Sequence, residues 1–146
     1  HMIGPLQSNK VKDAIKIFDI IETLDREKIA LELKKNMNKF KNFPKIYVQV
    51  NIGEEKQKNG CPPSEAKQFI KSCNEYGLNI KGVMAIPPHG ENPAPYFALL
   101  SNIAKESNIK NISMGMSKDF EMAIYLGATS VRVGTKIFGE RKDGDI

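Results

Sequence analysis

The sequence lacks the features that mark several classes of protein. It has only two cysteines, Cys61 and Cys73, among 146 residues, which excludes a disulfide framework and favours a reducing compartment, the cytoplasm. Neither cysteine has the spacing of metal ligands. No apolar run approaches the ~20 residues of a membrane helix, and no signal-peptide pattern is present. We therefore expect a cytoplasmic protein without a metal site and without a membrane partner.

Positive charge is in excess but is not concentrated. The formal net charge is +5, yet no block of lysine and arginine resembles a nucleic-acid patch. The lysines are spread over predicted helix faces with glutamates between them, as on a solvated surface. We therefore predict no nucleic-acid partner, and attraction of an anionic ligand is the alternative use of this charge.

Patterns of catalytic residues are also missing. No Ser-His-Asp triad, no group of metal ligands and no pair of acid–base carboxylates is visible in the sequence. The sequence accordingly predicts no catalytic residue and a protein that is not an enzyme.

The sequence does contain a regular alternation of strands and helices. Apolar and β-branched runs predict strands over residues 2–3, 18–23, 45–52, 79–86, 109–114 and 130–133. Amphipathic stretches between them predict helices that begin near Ser8 or Asn9, Asp25, Ser64, Pro95 and Ser117. This alternation predicts an α/β fold with a parallel sheet and right-handed crossovers. Since no linker interrupts the pattern, we expect residues 1–146 to form a single domain.

Three residues are expected to set the ends of these helices. Asp25 and Ser64 are the predicted N-caps of two helices, because short polar side chains can accept hydrogen bonds from the first free N–H groups. Gly77 stands where a C′ glycine is expected at the end of the helix that begins at Ser64.

Two strand ends near the carboxyl end of the chain predict a phosphate cradle. Residues 111–117 and 130–139 each run from a short strand into a turn with glycine and a hydroxyl side chain. Ser117, Gly134 and Thr135 can offer hydroxyl and backbone N–H groups to one anion. A phosphate site made by the last two strand–helix loops is a recurring feature of (β/α)8 barrels. The alternative for Ser117 is plain capping of the following helix.

Four segments resemble one known family. Residues 1–10 (HMIGPLQSNK), 81–86 (KGVMAI), 113–119 (SMGMSKD) and 131–139 (VRVGTKIFG) are similar in order and spacing to motifs of the pyridoxal-phosphate homeostasis proteins. The resemblance covers essentially the whole chain. His1-Met2 fits this motif, and it also fits the remnant of a cleaved tag.

The resemblance implies a fold and a function. The implied fold is a TIM-type parallel (β/α)8 barrel like the alanine racemase N-terminal domain, of which this chain would supply about six units, strands three to eight. The implied function is binding, carrying and buffering pyridoxal 5′-phosphate (PLP). The alternatives are a racemase-like PLP enzyme and a remnant that binds only phosphate or sulfate. The family's Schiff-base lysine lies on its first strand, and no lysine here matches it. The missing N-terminal segment or a second copy of the chain is the partner expected to fill the gap.

The resemblance also implies roles for single residues near the cofactor ring. Arg132 would face the pyridine nitrogen, as an arginine at this motif position does in the related racemase. Met84 or Met116 would pack on the ring, Asn51 would donate to the phenolate oxygen, and His1 would bond nearby. The alternatives are a structural ion pair for Arg132, core packing for both methionines and capping of a loop for Asn51. Lys58 and Lys136 are candidate anion ligands, with solvated surface as the alternative.

Overall fold

Five parallel strands form one sheet in chain order, β1-β2-β3-β4-β5. A computed structural model of the chain describes residues 1–140; residues 141–146, the end of the predicted domain, lie outside the described part. The strands are β1 Ile20–Leu24, β2 Lys45–Val50, β3 Gly82–Ala85, β4 Asn111–Met116 and β5 Ser130–Arg132. The helices are α1 Val11–Ile17, α2 Glu27–Met37, α3 Pro63–Glu75, α4 Ala94–Glu106, α5 Phe120–Tyr125 and α6 Thr135–Phe138, with a 3-10 turn at Ser8–Lys10 before α1. None of the helices within residues 1–140 has the length and apolarity to cross a membrane.

One face of the sheet packs against helices and forms the hydrophobic core. Val48, Val83 and Ile112 are partners in register on adjacent strands and are buried on this face. Leu33 of α2, Phe97 of α4 and Ala123 of α5 belong to the same cluster of buried side chains. Each large aliphatic side chain buried in this way contributes roughly 1.5–3 kcal/mol. The amphipathic pattern of the sequence therefore places the helices on the outer side of a curved sheet.

The opposite, inner face of the sheet is largely polar. Gln49, Met84 and Ser113 are partners in register on β2, β3 and β4 and therefore point to this side. Tyr47 and Gly82 precede them on the same face, and a Cβ on Gly82 would lie 2.5 Å from the Tyr47 ring. On this face Met84 is fully buried, and its partners in register, Gln49 and Ser113, are polar.

Two bulges change the direction of side chains along the strands. Between β1 and β2 the register shifts between Ile21 and Leu24, and between β4 and β5 it shifts between Ser113 and Met116. Gly115 carries the second shift with φ +92°, a backbone conformation that glycine adopts without steric cost. The extra residue brings Met116 into register with Arg132 at the end of β5. The bulge therefore places both side chains on the inner face.

Several predicted helix starts differ from the observed starts by one to three residues. Helix α2 begins at Glu27, after Arg26, and no side chain caps it; Asp25 accepts hydrogen bonds from the Arg26 guanidinium instead. Helix α3 begins at Pro63, which as an N1 proline needs no partner for a backbone N–H, and Ser64 caps nothing. The predicted C′ glycine is confirmed, since Gly77 follows the C-cap Tyr76 with φ +88°.

The first predicted strand is reduced to one residue. Met2 forms a single parallel bridge with Ile21: its N–H donates to Ile20 O at 2.8 Å and its carbonyl accepts from Glu22 N at 2.9 Å. This bridge and strand β5 therefore form the two edges of the described sheet. A cavity of about 470 Å³ lies between these edges and is lined by His1, Ile3 and residues 130–134.

Candidate functional site

A cleft of about 680 Å³ opens at the carboxyl ends of β3, β4 and β5. The structure brings Arg132, Met116, Ser117, Gly134 and Thr135 together around this cleft. These residues come from two separate strand ends, as the sequence predicted, because parallel strands present their carboxyl ends at the same edge. Lys58, a candidate anion ligand, also lines the cleft. Four further side chains at the rim were not expected there: Lys118, His89, Glu91 and Asp119.

Arg132 crosses the inner face of the sheet at the floor of the cleft. Its Nη1 donates to Ser113 Oγ at 2.6 Å and its Nη2 donates to Ala85 O at 2.9 Å. The side chain is 11% exposed, and this burial lowers the pKa of the guanidinium while the charge of Glu22, 3.9 Å away, opposes the change. An arginine stays protonated at any working pH. Since a guanidinium has five N–H donors, Arg132 retains donors that can face a ligand in the cleft.

Ser117 joins the two loops that line the cleft. It lies in a turn after β4, and helix α5 begins three residues later at Phe120, so the prediction that Ser117 begins a helix is wrong. Its Oγ accepts the backbone N–H of Lys136 at 3.2 Å. The backbone N–H of Met116 donates to Asp119 Oδ1 at 2.6 Å and stabilises the same turn. The N–H of Lys136 is thus held by Ser117 Oγ, and the hydroxyl of Ser117 keeps its own hydrogen available for an anion.

Gly134 leaves free space beside these groups. It has φ −111°, which any residue can adopt, and a Cβ built on it would meet no atom within 4 Å. The short helix α6 follows immediately at Thr135 and was not predicted from the sequence. The backbone at Gly134 therefore needs no glycine for its own conformation, and the space beside it fits a group bound close to the main chain.

Three predicted ligands do not meet the others in the cleft. Met84 is fully buried, which agrees with core packing and does not support contact with a ring. Asn51 caps a loop: its Nδ2 donates to Glu55 O at 2.9 Å and its Oδ1 accepts from Glu55 N at 3.2 Å. His1 lies beyond Arg132 in the cavity at the sheet edge, where its Nδ1 is 2.6 Å from Glu22 Oε1.

The two candidate lysines differ in position. Lys58 lines the cleft, and its Nζ lies 3.1 Å from Pro87 O and 2.5 Å from Glu55 Oε2. Lys136 projects away over the Phe120 ring, with its Nζ 4.6 Å from the ring centre. Of the two side chains, only Lys58 is therefore placed to meet a ligand.

Sequence reasoning missed Glu22 and Ser113. Both side chains are buried, and Ser113 Oγ lies 2.5 Å from Glu22 Oε2. The signal was a carboxylate in the middle of the apolar strand β1, Ile20–Leu24, because a charge is rarely buried without partners. Ser113 gave no comparable signal, since a serine in a strand is ordinary.

The cysteines do not add a reactive centre. Both thiols are free and buried, and burial raises the pKa of Cys61 and of Cys73 to about 12, so they are neutral at physiological pH. Within the described residues 1–140, no group of three or more histidine, cysteine or acidic side chains can hold a metal ion.

Comparison with known proteins identifies the family. The family model described as the alanine racemase N-terminal domain matches residues 1–142. A pyridoxal phosphate homeostasis protein of Aquifex aeolicus is 41% identical to 97% of this chain, and one of Pasteurella multocida is 38% identical to 97% of it. This chain belongs to the family of pyridoxal phosphate homeostasis proteins. It spans only about two thirds of these relatives, 67% and 65% of their own lengths.

Solved structures agree with the fold. PipY of Synechococcus elongatus, solved without PLP, has a TM-score of 0.87 and 31% identity over 95% of this chain and 70% of its own. PipY solved with PLP bound has a TM-score of 0.82 and 29% identity over 95% of this chain and 69% of its own. An alanine racemase of Clostridium difficile has a TM-score of 0.69 at 18% identity over 99% of this chain and 40% of its own, a likeness of fold alone.

Proposed function

We propose that this chain binds pyridoxal 5′-phosphate in the cleft at the ends of β3 to β5. One observation carries the proposal: a single cleft unites a buried arginine with two loops whose hydroxyl and N–H groups converge. The phosphate would lie between Ser117 and Gly134-Thr135, and the ring would lie toward Arg132 and Met116. The free space beside Gly134 fits the close approach of a phosphate. The name of the relatives and the PLP-bound PipY structure support the same ligand.

Arg132 favours binding of PLP over catalysis by it. Bound PLP can act as an electron sink, and it does so best when its ring nitrogen is protonated. Arg132 can only donate hydrogen bonds, so beside that nitrogen it favours the unprotonated ring. A racemase-like activity would also need a lysine Schiff base and a second acid–base residue. We therefore propose a carrier of PLP without catalytic residues.

The whole protein would be a cytoplasmic (β/α)8 barrel. We propose that residues 1–146 form one domain that corresponds to strands three to eight of such a barrel. The parallel sheet in chain order and the likeness to alanine racemase support this assignment. The function of the family, homeostasis of PLP, would then be carried out by a longer protein or by an assembly that completes the barrel.

The phosphate cradle can be tested with Gly134→Val. The added side chain meets no protein atom near its Cβ, so we expect normal folding and a loss of PLP and inorganic phosphate affinity of at least tenfold. Isothermal titration calorimetry with both ligands measures this loss. Gly4→Val is the matched control, because a Cβ at Gly4 also meets nothing within 4 Å and Gly4 does not line the cleft.

The result for the two ligands separates the alternatives. Unchanged affinity of Gly134→Val for PLP and phosphate would refute the proposed site. Binding of phosphate without PLP by the wild-type chain would favour the remnant that binds only simple anions.

Borohydride reduction tests whether the chain holds PLP covalently. We expect no single lysine to be labelled stoichiometrically after treatment with PLP and borohydride, measured by peptide mapping. Lys58 lines the cleft, but its Nζ is already engaged by Glu55 and Pro87 O, and these contacts oppose attack on an aldehyde. Complete labelling of Lys58 or Lys136 alone would show that a Schiff base forms within this chain.

A further inference from the structure

A series of hydrogen bonds links Arg132, at the floor of the cleft, to Ser113, Glu22 and His1 across the inner side of the sheet. Arg132 Nη1 donates to Ser113 Oγ at 2.6 Å, and Ser113 Oγ lies 2.5 Å from Glu22 Oε2. The other oxygen of Glu22 lies 2.6 Å from His1 Nδ1. Ser113 is 0% exposed and Glu22 is 1% exposed, so water does not compete for the bond between them, whereas His1 at the end of the series is 47% exposed. Short hydrogen bonds that involve ionised groups are the strong ones in proteins.

The hydrogen bonds between Arg132, Ser113 and Glu22 can form with only one order of donors and acceptors. A guanidinium has no acceptor, so the hydroxyl of Ser113 must accept from Arg132. The hydroxyl then has its own hydrogen available, and among residues 1–140 the acceptor at its other side is Glu22 Oε2. Glu22 therefore fixes the hydroxyl, and the hydroxyl fixes the guanidinium.

We propose that Ser113 and Glu22 are positioning residues that orient Arg132 toward the ring nitrogen of a bound pyridine. The inference rests on the proposed function, since it concerns the ring end of the same cleft. Ser113 Oγ and Ala85 O each hold one terminal nitrogen of the guanidinium, so its plane is set before a ligand enters. A donor held in this way selects a ring atom with a lone pair over a C–H group at the same place.

The carboxylate has a second effect on the cleft. Glu22 Oε2 lies 3.9 Å from Arg132 Nη1, so it offsets part of the charge of a guanidinium that is itself largely buried. A buried charge without a partner is costly, and an uncompensated one would attract any anion. The pair therefore restricts Arg132 to recognition of the ring and leaves the phosphate to the two loops.

The experiment compares PLP with its analogue that has C–H in place of the ring nitrogen. We expect the wild-type chain to prefer PLP by about tenfold or more, the value of one hydrogen bond to a charged group. Ser113→Ala should reduce this preference to less than about threefold and leave inorganic phosphate affinity unchanged. If Ser113→Ala does not fold, Ser113→Cys keeps the volume and supplies only a weak donor and acceptor.

Glu22→Gln removes the negative charge at residue 22 and keeps its hydrogen bond to Ser113, so it tests these two effects of Glu22 separately. The amide keeps an acceptor oxygen for Ser113 and can donate to His1, so the preference for PLP should persist while phosphate affinity rises severalfold. Glu106→Gln is the matched control, because it removes one carboxylate that pairs with Lys67 on the surface. If both Ser113 variants keep the full preference for PLP, Ser113 does not position Arg132. If Glu22→Gln leaves phosphate affinity unchanged, the charge of Glu22 does not limit anion binding.

A measurement without ligand distinguishes this inference from the proposed function. In ¹⁵N NMR spectra of the wild-type chain, the guanidinium N–H signals of Arg132 should be protected from exchange, and Ser113→Ala should abolish the protection. If the Arg132 signals are protected but the chain binds neither PLP nor its analogue, the proposed function is refuted, while the orientation of Arg132 by Ser113 and Glu22 is supported. Unprotected signals in the wild-type chain would overturn the positioning itself.

Discussion

Replacing Gly115 with alanine is expected to destabilise the fold by about 3 kcal/mol or more. Gly115 has φ +92°, where an alanine costs roughly 1–2 kcal/mol. The added Cβ would also lie 2.5 Å from Ala123 Cβ and 3.1 Å from Phe120 Cα, and overpacking of this kind costs roughly 1–3 kcal/mol more. Since α5 packs on β4 at this point, the helix must move outward to accept the new atom. Urea unfolding followed by circular dichroism measures the loss.

Gly127→Ala is the matched control for the contribution of the clash. Gly127 has a similar φ of +99°, but the nearest atom to an added Cβ is Ser101 Oγ at 3.6 Å, an ordinary contact. We expect this variant to lose only the backbone contribution, roughly 1–2 kcal/mol. Equal stability losses for the two variants would contradict the close approach of α5 to the bulge.

The second large effect concerns the two open edges of the sheet. Within the described residues, strand β5 has β4 as its only strand partner, and the Met2 bridge pairs only with Ile21. Unpaired N–H and C=O groups along such edges invite another strand. Ile3 and Val131 are also exposed there, at 50% and 37%. We expect these 146 residues in solution to associate with an N-terminal segment or with a second copy, not to persist as a free monomer.

Light scattering combined with denaturing electrophoresis tests the association. We expect a mass above 16.3 kDa or a co-purifying fragment. Val131→Lys should weaken self-association at least tenfold, because a lysine on an edge strand opposes pairing. Leu31→Lys is the control, since Leu31 is comparably exposed but lies on α2. A monodisperse, cooperatively unfolding species of 16.3 kDa without a fragment would contradict this prediction.

The alternation of strands and helices was predictable from the sequence because it depends on local periodicity. Five of the six predicted strands and the parallel sheet follow from apolar runs separated by amphipathic helices, and the sixth, at residues 2–3, is a single bridge. The starts of α2, α3 and α5 were not predictable, because Asp25, Ser64 and Ser117 have the chemistry of N-caps but find other partners or none. Capping propensity is a local preference, and tertiary contacts decide where it is used.

The cleft was predictable in part. Ser117 and Gly134-Thr135 converge because the carboxyl ends of neighbouring parallel strands must lie at the same edge. The interior partners of Arg132 were not predictable, since Glu22 and Ser113 are 91 residues apart in sequence. Their contact depends on the curvature of the whole sheet, which no local pattern encodes.

The bulge at Gly115 has a consequence for every alignment with related proteins. Along β4 the side chains point alternately inward and outward, and the bulge shifts this alternation by one residue, so that Ser113 and Met116 both point inward. A gap misplaced by one position at Gly115 would exchange the inward and outward sets at the mouth of the cleft. It would assign the position of Met116 to its neighbour. The length of the chain at this glycine therefore determines which side chains a ligand meets.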